Sequence, residues 1–261
     1  MNTRNSLNKQ NLLLMTATIT PRSGVPNLKR TDANLRLQDY EKALKFYLSL
    51  LNRGCDGIIF AENSDSDVSS LRNIVQEAGK TDQVEFIVFN GLDYPPHYDR
   101  GYGEFKLLDY AMEHSKLIYS QDQQTIVWKV TGRYIVKNLL QIIAKQPAKF
   151  DIYCNFRNFP KHWTDTFLMA WTPEGYQACL KNVYHKLKLN VPGVPEKAAA
   201  EELLRDWFDQ QPKKIKFVRR LRETPDIDGV RGADNTGYST DNLWKFYIRN
   251  AIHKFLPWLW I

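Results

Sequence analysis

The sequence predicts an α/β fold in which helices cover both faces of a mostly parallel β-sheet. Over the first 154 residues, short apolar runs alternate with segments whose apolar residues recur at helical spacing, which is the pattern of β-α-β units. The runs are mostly apolar rather than alternating, as expected for strands buried on both faces of a parallel sheet. In such a sheet the carboxyl ends of the strands share one edge, where ligands bind.

The individual elements follow from these two patterns. A run rich in Leu and Thr, bounded by Pro21 and Gly24, predicts a first strand over 11–19. Helical spacing predicts a helix over 35–51, which Gly54 ends. The same patterns predict strands at 56–61, 84–89, 125–130 and 150–154, and helices at 66–78, 103–120 and 134–144.

The second half of the chain is less regular. Helices are predicted at 172–187, which opens with Thr-Pro-Glu, and at 198–210. Residues 223–240 are rich in Gly, Asp and Asn and indicate a loop. No repeat or long linker separates these segments, so we expect one domain.

Composition narrows the class of protein. Of the 261 residues, 43% are hydrophobic and 25% are charged, as in ordinary globular proteins. No apolar stretch reaches the roughly 18 residues of a membrane-spanning helix, and the N-terminus lacks the features of a secretory signal. Three widely spaced cysteines favour buried thiols in a reducing cytoplasm. The net charge of +7 favours an anionic partner: a phosphorylated substrate, an anionic membrane leaflet or nucleic acid.

Several enzyme motifs are absent from the sequence, namely GxGxxG after the first strand, GxxxxGK[ST], HExxH and GxSxG. Their absence argues against dinucleotide oxidoreductases, P-loop NTPases, zinc proteases and serine hydrolases. Instead, polar residues follow four successive predicted strands, and because these loops share one sheet edge they predict a binding site. The loops are Thr16–Thr20, Glu62–Asp67, Asn90–Glu104 and Lys129–Tyr134.

Two of these loops carry a family resemblance. Gly101-Tyr-Gly-Glu104 opens a predicted helix, and Lys129-Val-Thr-Gly-Arg-Tyr134 ends a predicted strand. In their strand–helix order they resemble GT-A-type glycosyltransferases, specifically the bacterial surface-polysaccharide (capsule or O-antigen) enzymes. The loop Ile227–Asp234 resembles a donor-proximal loop of that family. The resemblance implies a GT-A-like, single Rossmann-type nucleotide-binding domain over 11–240, after a flexible N-terminus, 1–10.

The resemblance also implies a nucleotide-sugar donor, a lipid-linked or polysaccharide acceptor, and roles for single residues. Thr16, Ala17 and Arg36 would hold the nucleoside, and Asn63 the sugar or ribose. The diphosphate would contact Lys129 and Arg133. Further donor contacts are expected from Glu62, Arg100, Gly101, Thr131, Gly132 and Arg231.

The sequence departs from the GT-A pattern at the usual metal site. Those enzymes carry Asp-x-Asp at the end of the fourth strand, where it binds Mg²⁺ or Mn²⁺ together with the diphosphate, but here Thr131-Gly-Arg133 follows the strand. Arginine can bind a diphosphate in bidentate fashion and offset its charge. We therefore expect no Asp-x-Asp-bound metal, while a divalent cation held elsewhere stays open. Asp65-Ser-Asp67 fits a helix cap better than a metal ligand, and Asp226-Ile-Asp228 fits a turn at least as well.

Sugar transfer with inversion requires a base for the acceptor hydroxyl. The candidates are Asp165, which precedes a strand-like segment, and Glu201 and Glu202, which begin a predicted helix. Both glutamates also fit first-turn charges that suit the helix dipole. Glu104 is a further candidate, although it too fits a helix cap.

The C-terminal segment 241–261 is both basic and aromatic. Lys245, Arg249 and His253 recur every four residues and predict one cationic helix face, with apolar residues on the other. Such amphipathic helices lie in bilayer interfaces, and the alternative is a helix packed on the core. We expect a cytoplasmic protein that contacts the inner face of the membrane peripherally, near a lipid-linked acceptor.

Two other functions stay open. A nucleic-acid-binding protein would suit the basic C-terminus, but no nucleic-acid motif is present and no such partner is expected. A sugar nucleotidyltransferase on a related fold would carry a basic Gly-rich loop after the first strand, of which Pro21-Arg-Ser-Gly24 is a faint counterpart.

Overall fold

The structure, a computed structural model, describes residues 9–119, 124–195, 198–238, 243–256 and 259–260. Its strands are β1 (Lys9–Ala17), β2 (Gly57–Glu62), β3 (Val84–Val88), β4 (Gln124–Thr131), β5 (Ile135–Val136), β6 (Ile152–Arg157), β7 (Trp163–Trp171), β8 (Phe217–Val218) and β9 (Ile227–Asp228). Its helices are α1 (Ala33–Leu48), α2 (Ser69–Glu77), α3 (Asp99–His114), α4 (Leu139–Ala144), α5 (Pro173–Gly175), α6 (Ala200–Asp209) and α7 (Leu243–Phe255).

Seven strands form one sheet in the order β3-β2-β1-β4-β7-β6-β8. β7 is antiparallel to its neighbours β4 and β6, and the other pairs are parallel. The remaining strands, β5 and β9, pair with each other in a separate two-stranded sheet. The predicted α/β fold with a mostly parallel sheet flanked by helices is confirmed.

Alternate side chains of β1 enter two apolar layers, one on each face of the sheet. Leu13 and Met15 belong to the layer that contains residues of α1, α2 and α4. Leu12 and Leu14 belong to the layer that contains residues of α3 and α6. All four side chains are buried. Burial on both faces explains why this strand is almost continuously apolar in sequence.

Two boundaries near the chain start and the sheet edge differ from prediction. β1 begins at Lys9, so the last two residues of the predicted flexible segment 1–10 belong to the sheet, and residues 1–8 lie outside the described part. The predicted helix 134–144 is shorter, because Ile135–Val136 pairs with β9 and the helix begins only at Leu139. Two consecutive β-branched residues favour the extended conformation there.

The predicted helix 172–187 is interrupted. α5 continues as the π-helix Tyr176–Leu180, and a 3-10 turn, Val183–Lys186, follows. Between them Asn182 has φ 63°, a left-handed conformation that a continuous helix does not contain. None of the described helices is both long enough and apolar enough to cross a bilayer.

Candidate functional site

A cavity of about 630 Å³ lies at the sheet edge where β1 and β4 end. Thr16 of β1 and Thr131 of β4 are register partners, and both line the cavity. Because β7 is antiparallel, its first residues reach the same edge, where Asp165 pairs with Asn155 of β6. Residues of three of the four predicted polar loops therefore line one cavity, whereas the loop after β2 does not.

The floor of the cavity contains an ion pair between Glu104 and Lys129. The Nζ atom of Lys129 lies 2.6 Å from Glu104 Oε1, and the Lys129 side chain is 0% exposed against 22% for Glu104. Thr16 Oγ1 donates to the same carboxylate oxygen at 2.9 Å. Of the two charged groups, Glu104 lines the cavity and Lys129 does not. The expected contact between Lys129 and a diphosphate is therefore not supported, because this ammonium is neutralised below the floor.

Glu62 and Asn63 hold the neighbouring loops and do not line the cavity. The buried Glu62 carboxylate accepts from the backbone N–H groups of Ile19 at 2.9 Å and Ser64 at 3.0 Å. Asn63 Oδ1 accepts from Thr18 Oγ1 at 2.6 Å. Their expected contacts with the donor are therefore not supported by a place in the cavity lining. Glu62 satisfies backbone N–H groups that the β-ladder leaves unpaired, and Asn63 holds the Thr18 hydroxyl.

Glycines of the two signature motifs let the cavity walls approach closely. A Cβ atom on Gly101 would lie 2.2 Å from the Cβ of Ala200, and one on Gly132 would lie 2.7 Å from the carbonyl oxygen of Thr16. Gly101 lines the cavity, whereas Gly132 lies behind it. The first contact joins the start of α3 to the start of α6, which carries Glu201.

The Gly101→Ala substitution is expected to destabilise the fold by about 1–3 kcal/mol, because the added methyl overpacks the α3–α6 contact. Urea unfolding measures the change. The double variant Gly101→Ala/Ala200→Gly removes the clashing atom and should recover part of the loss. Equal destabilisation in the single and double variants would show that this contact is not the cause.

Arg36 and Arg133 are buried arginines in the cavity wall. Arg133 Nη1 donates to the carbonyl oxygen of Val230 at 2.9 Å. Arg36 Nε donates to the carbonyl oxygen of Thr18 at 2.7 Å. Burial is the main cause of the lowered pKa of Arg36, and the nearby Arg133 contributes to it. The two side chains therefore place positive charge in the wall and fix the loops behind it.

Arg100 and Arg231 are more exposed and also line the cavity. Arg100 Nε lies 3.3 Å from Asp99 Oδ1, and Arg231 Nη1 lies 3.4 Å from Asp234 Oδ2. Exposed ion pairs of this kind contribute little free energy. Both guanidinium groups can therefore exchange their carboxylate for a phosphate at low cost.

The loop that carries Arg231 is fastened over this wall. The N–H groups of Lys29 and Arg30 donate to the carbonyl oxygen of Gly232 at 2.9 and 3.2 Å. A bridge joins Val230 to Gly237, and β9 precedes it in the small sheet with β5. The loop resembling a donor-proximal segment is thus held beside the cavity by backbone contacts.

Among the described residues, six acidic side chains line the cavity. Asp99, Glu223 and Asp226 form ion pairs with neighbouring basic residues. The other three are candidate bases, namely Glu104, Asp165 and Glu201. Asp165 is buried and accepts from Asn155 Nδ2 at 2.8 Å and from both Nε and Nη2 of Arg157. Its oxygens are therefore already occupied by donors. This arrangement suits a residue that orients Arg157 better than it suits a base.

Glu201 has the environment expected of a proton acceptor. Burial is the main cause that raises its pKa, and the charges of Glu104 and Asp165 add to the rise, while its own backbone and Arg100 oppose it. Its contact with another described side chain is a long one, from Thr166 Oγ1 at 3.5 Å. A half-buried carboxylate with a raised pKa is a stronger base than an ordinary glutamate, which suits general-base chemistry.

Glu202, the third candidate base, does not line the cavity. Its Oε2 atom accepts from the backbone N–H of Ala199 at 3.0 Å, and Lys161 lies 3.1 Å from its other oxygen. A carboxylate at this position caps the first turn of a helix. Glu202 therefore caps the start of α6, and its position does not support the catalytic role expected from the sequence.

Asp67, Asp226 and Asp228, three of the four carboxylates in the two Asp-x-Asp pairs, contact other residues. Asp67 Oδ1 accepts from the backbone N–H of Ser69 at 2.9 Å, at the start of α2. Asp226 lies 3.4 Å from Lys137, and Asp228 lies 2.9 Å from Lys42. Over the described ranges, His, Cys, Asp and Glu side chains form no group of three or more that is arranged to hold a metal ion.

The sequence did not identify three cationic residues that line the cavity on the side of β6, β8 and α7. Arg157 at the end of β6, Arg220 after β8 and Arg249 in α7 all line it. The basic run 213–222 indicated a local excess of positive charge, and the spacing of Arg249 predicted that it lies on a cationic helix face. Neither pattern predicted that these side chains face the cavity, because β6, the segment after β8 and α7 are far apart in sequence and meet only in the folded chain.

No family model and no curated protein matches this chain. Similar solved structures include one assigned as a nucleotide-diphospho-sugar transferase from Desulfovibrio desulfuricans G20, at 9% identity over 92% of this chain and 95% of that one, with a TM-score of 0.45. An active-site mutant of LgtC matches at 8% identity over 80% and 72%, with a TM-score of 0.44. The inositol-1-phosphate CTP transferase from T. maritima matches at 11% identity over 92% and 95%, with a TM-score of 0.42.

Proposed function

We propose that the protein is a glycosyltransferase that moves a sugar from a nucleotide-sugar donor to a lipid-linked or polysaccharide acceptor. The observation that carries this proposal is a single cavity whose lining includes several arginines and Glu201, a half-buried carboxylate with a raised pKa. Residues from both segments that resemble GT-A enzymes, Gly101–Glu104 and Lys129–Tyr134, line this cavity.

In this proposal the donor lies along the ends of β1 and β4. Thr16, Ala17 and Arg36 contact the nucleoside, since they line that end of the cavity. Arg100, Arg133 and Arg231 bind the diphosphate, with Arg133 as the fixed member and the other two as exposed and adjustable ones. Guanidinium groups stabilise the charge that develops on a departing diphosphate.

The transfer step forms one bond and breaks one. The acceptor hydroxyl oxygen attacks the anomeric carbon of the sugar, while the bond from that carbon to the diphosphate oxygen breaks. The bonding electrons leave with the nucleoside diphosphate, and the hydroxyl proton passes to Glu201. Thr166, whose hydroxyl lies 3.5 Å from Glu201, helps to orient the base.

Release of nucleoside diphosphate from a panel of nucleotide-sugars tests this function. We expect release from one donor class, increased by an acceptor, and loss of release in the Arg133→Ala variant. Unchanged turnover in that variant would contradict the assignment.

A sugar nucleotidyltransferase is the second candidate, because the arginines at the other end of the cavity suit a sugar phosphate as second substrate. Such an enzyme releases pyrophosphate from a nucleoside triphosphate. The loop after β1 gives this candidate less support, since Arg22 already donates to the carbonyl oxygen of Tyr94 at 2.6 Å. Pyrophosphate release with a sugar phosphate, and none of nucleoside diphosphate from nucleotide-sugars, would establish it.

We expect turnover to persist in EDTA, because in this proposal arginines take the place of an Asp-x-Asp-bound cation beside the diphosphate. The measurement compares initial rates after EDTA treatment with rates after Mn²⁺ or Mg²⁺ is restored. A loss of most of the rate in EDTA that either metal reverses would show that a cation held elsewhere is required.

We also propose that α7 contacts the membrane surface. Trp244, Tyr247, Ile248 and Phe255 recur at helical spacing and are 46–70% exposed. Arg249 lines the cavity instead of lying on this exposed face. Residues 241, 242, 257, 258 and 261, and the side chains of Leu243, Lys245, His253 and Lys254, lie outside the described part of the predicted helix.

The double variant Trp244→Ser/Tyr247→Ser should bind anionic vesicles at least tenfold more weakly than the wild-type chain, because two interfacial aromatic side chains are lost. Co-sedimentation with vesicles of phosphatidylglycerol measures the change, and circular dichroism checks the fold. Salt-sensitive binding of oligonucleotides with no binding to vesicles would favour a nucleic-acid partner instead.

A further inference from the structure

We propose that Arg157, Arg220 and Arg249 form a second anion-binding subsite, which takes the phosphate of a lipid-linked acceptor. This inference rests on the proposed function, because it names the acceptor of that transfer. The three arginines line the same cavity as the donor wall, which is formed by Arg36, Arg100, Arg133 and Arg231. They come from β6, from the segment after β8, and from α7.

One strand of the sheet, β7, separates the strand next to this subsite from the strand next to the donor wall. Arg133 follows β4, whereas Arg157 ends β6, and β7 lies between these strands. Neighbouring strands are about 4.8 Å apart, so β4, which Arg133 follows, and β6, which ends at Arg157, lie about 10 Å apart. This separation leaves room for a sugar between two phosphate-binding regions.

The local charge favours an anion. The oxygens of Asp165 are already occupied by Arg157 and Asn155. Glu223 and Asp226 also line the cavity, and they form ion pairs with Lys145 and Lys137. Arg249 has no ion pair with another residue in the described ranges. Burial is the main cause that lowers the pKa of Arg249, and the charge of Arg157 adds to it, while Asp165 and Tyr238 oppose it. Arg157 and Arg249 thus lie near one carboxylate, Asp165, so positive charge is in excess around these two guanidinium groups.

Apolar side chains beside the cluster indicate the kind of acceptor. Trp163, Phe246 and Trp260 line the cavity at this end. The carbonyl oxygen of Trp260 accepts from the backbone N–H of Asn158 at 2.9 Å, which holds the chain end against the β6–β7 turn. On the outer side of α7, Trp244 and Tyr247 are exposed.

The helix α7 therefore links the phosphate subsite to an apolar surface. Arg249 points into the cavity from the same helix that exposes Trp244 and Tyr247. A water-soluble sugar phosphate would use the arginines alone. An acceptor with an apolar chain attached to its phosphate would use both features, and this is the acceptor we infer.

Farnesyl diphosphate is the probe for this subsite, with farnesol and inorganic pyrophosphate as its two halves. Calorimetric titrations are run on the full chain, with and without a saturating nucleoside diphosphate. We expect farnesyl diphosphate to bind in the presence of the nucleotide, at least tenfold more tightly than either half. The Arg249→Gln variant should weaken this binding at least tenfold and leave nucleotide binding unchanged.

A control variant, and the choice of which arginine to replace, separate loss of probe binding from loss of folding. Arg53→Gln, which removes an exposed arginine outside the cavity, should leave binding of the probe unchanged. Arg157 is avoided because loss of its pairing with buried Asp165 would leave an uncompensated charge.

The other possible results of these titrations each bear on one part of the proposal. Displacement of the nucleotide by farnesyl diphosphate, or equal binding by wild type and Arg249→Gln, would overturn the subsite. Equal affinity for pyrophosphate and farnesyl diphosphate would overturn the lipid-linked acceptor. Arg249-dependent binding of the probe by a protein that binds no nucleotide would sustain the subsite and overturn the glycosyltransferase.

Discussion

The Glu201→Gln variant is expected to lower kcat by about 100- to 10,000-fold, which is the usual contribution of a general base. The amide keeps the size of the side chain but cannot accept the acceptor proton. Binding of the nucleotide should be unchanged, because the donor wall is built from other residues. Single-turnover rates with the donor identified by screening measure the effect.

The neighbouring residue supplies a matched control for this prediction. Glu202→Gln changes a carboxylate of the same helix turn that caps α6 outside the cavity. It should leave kcat little changed. Similar losses of rate in the two variants would show that the helix start, and not the Glu201 carboxylate, is what matters.

The raised pKa of Glu201 fixes the direction of two pH effects. The base must be ionised to act, so the rate should fall as the pH is lowered through this raised pKa. The free energy of unfolding changes in the opposite direction. The folded state holds the Glu201 proton more tightly than the unfolded state, so stability falls as the pH rises from the ordinary pKa of a glutamate to the raised pKa. Glu201→Gln should therefore be at least as stable as the wild type at neutral pH in urea unfolding.

The Arg133→Lys variant is expected to lower kcat by about 100-fold or more. Lysine keeps the charge but loses the planar fork that binds a diphosphate in bidentate fashion, and removal of one comparable donor costs 100- to 1,000-fold in other sites. Arg72→Lys on α2, outside the cavity, is the matched control. Wild-type turnover by Arg133→Lys in a folded protein would remove this residue from the donor site.

The strands could be predicted because their burial leaves a direct mark on the sequence. Leu12 to Met15 is a continuous apolar run because both faces of β1 are covered. The antiparallel direction of β7 left no comparable mark, since an apolar strand can be read in either direction. That direction brings Asp165 to the sheet edge beside Asn155, which local pattern alone does not reveal.

The roles of residues were harder to predict where a side chain lies directly behind the cavity lining and does not reach the cavity. Lys129 and Thr131 share one face of β4, because they are two residues apart. Thr131 reaches the cavity at the strand end, whereas Lys129 lies beneath it and pairs with Glu104 from α3. The sequence places both residues at the site, but the partner that neutralises Lys129 comes from another element. The same limit applies to Glu62 and Glu202, whose carboxylates satisfy backbone N–H groups.

The most direct test of the central claim, a nucleotide-sugar site in this cavity, is a thermal-shift titration with UDP, GDP, CMP and their sugars, with and without Mn²⁺. A ligand that binds only the folded state stabilises it by about 2.7 kcal/mol at one hundred times its Kd. We predict that one nucleotide class raises the Tm of the wild type without Mn²⁺, and that Arg133→Ala loses this shift. No shift with any of these ligands, or an equal shift in Arg133→Ala, would contradict the claim.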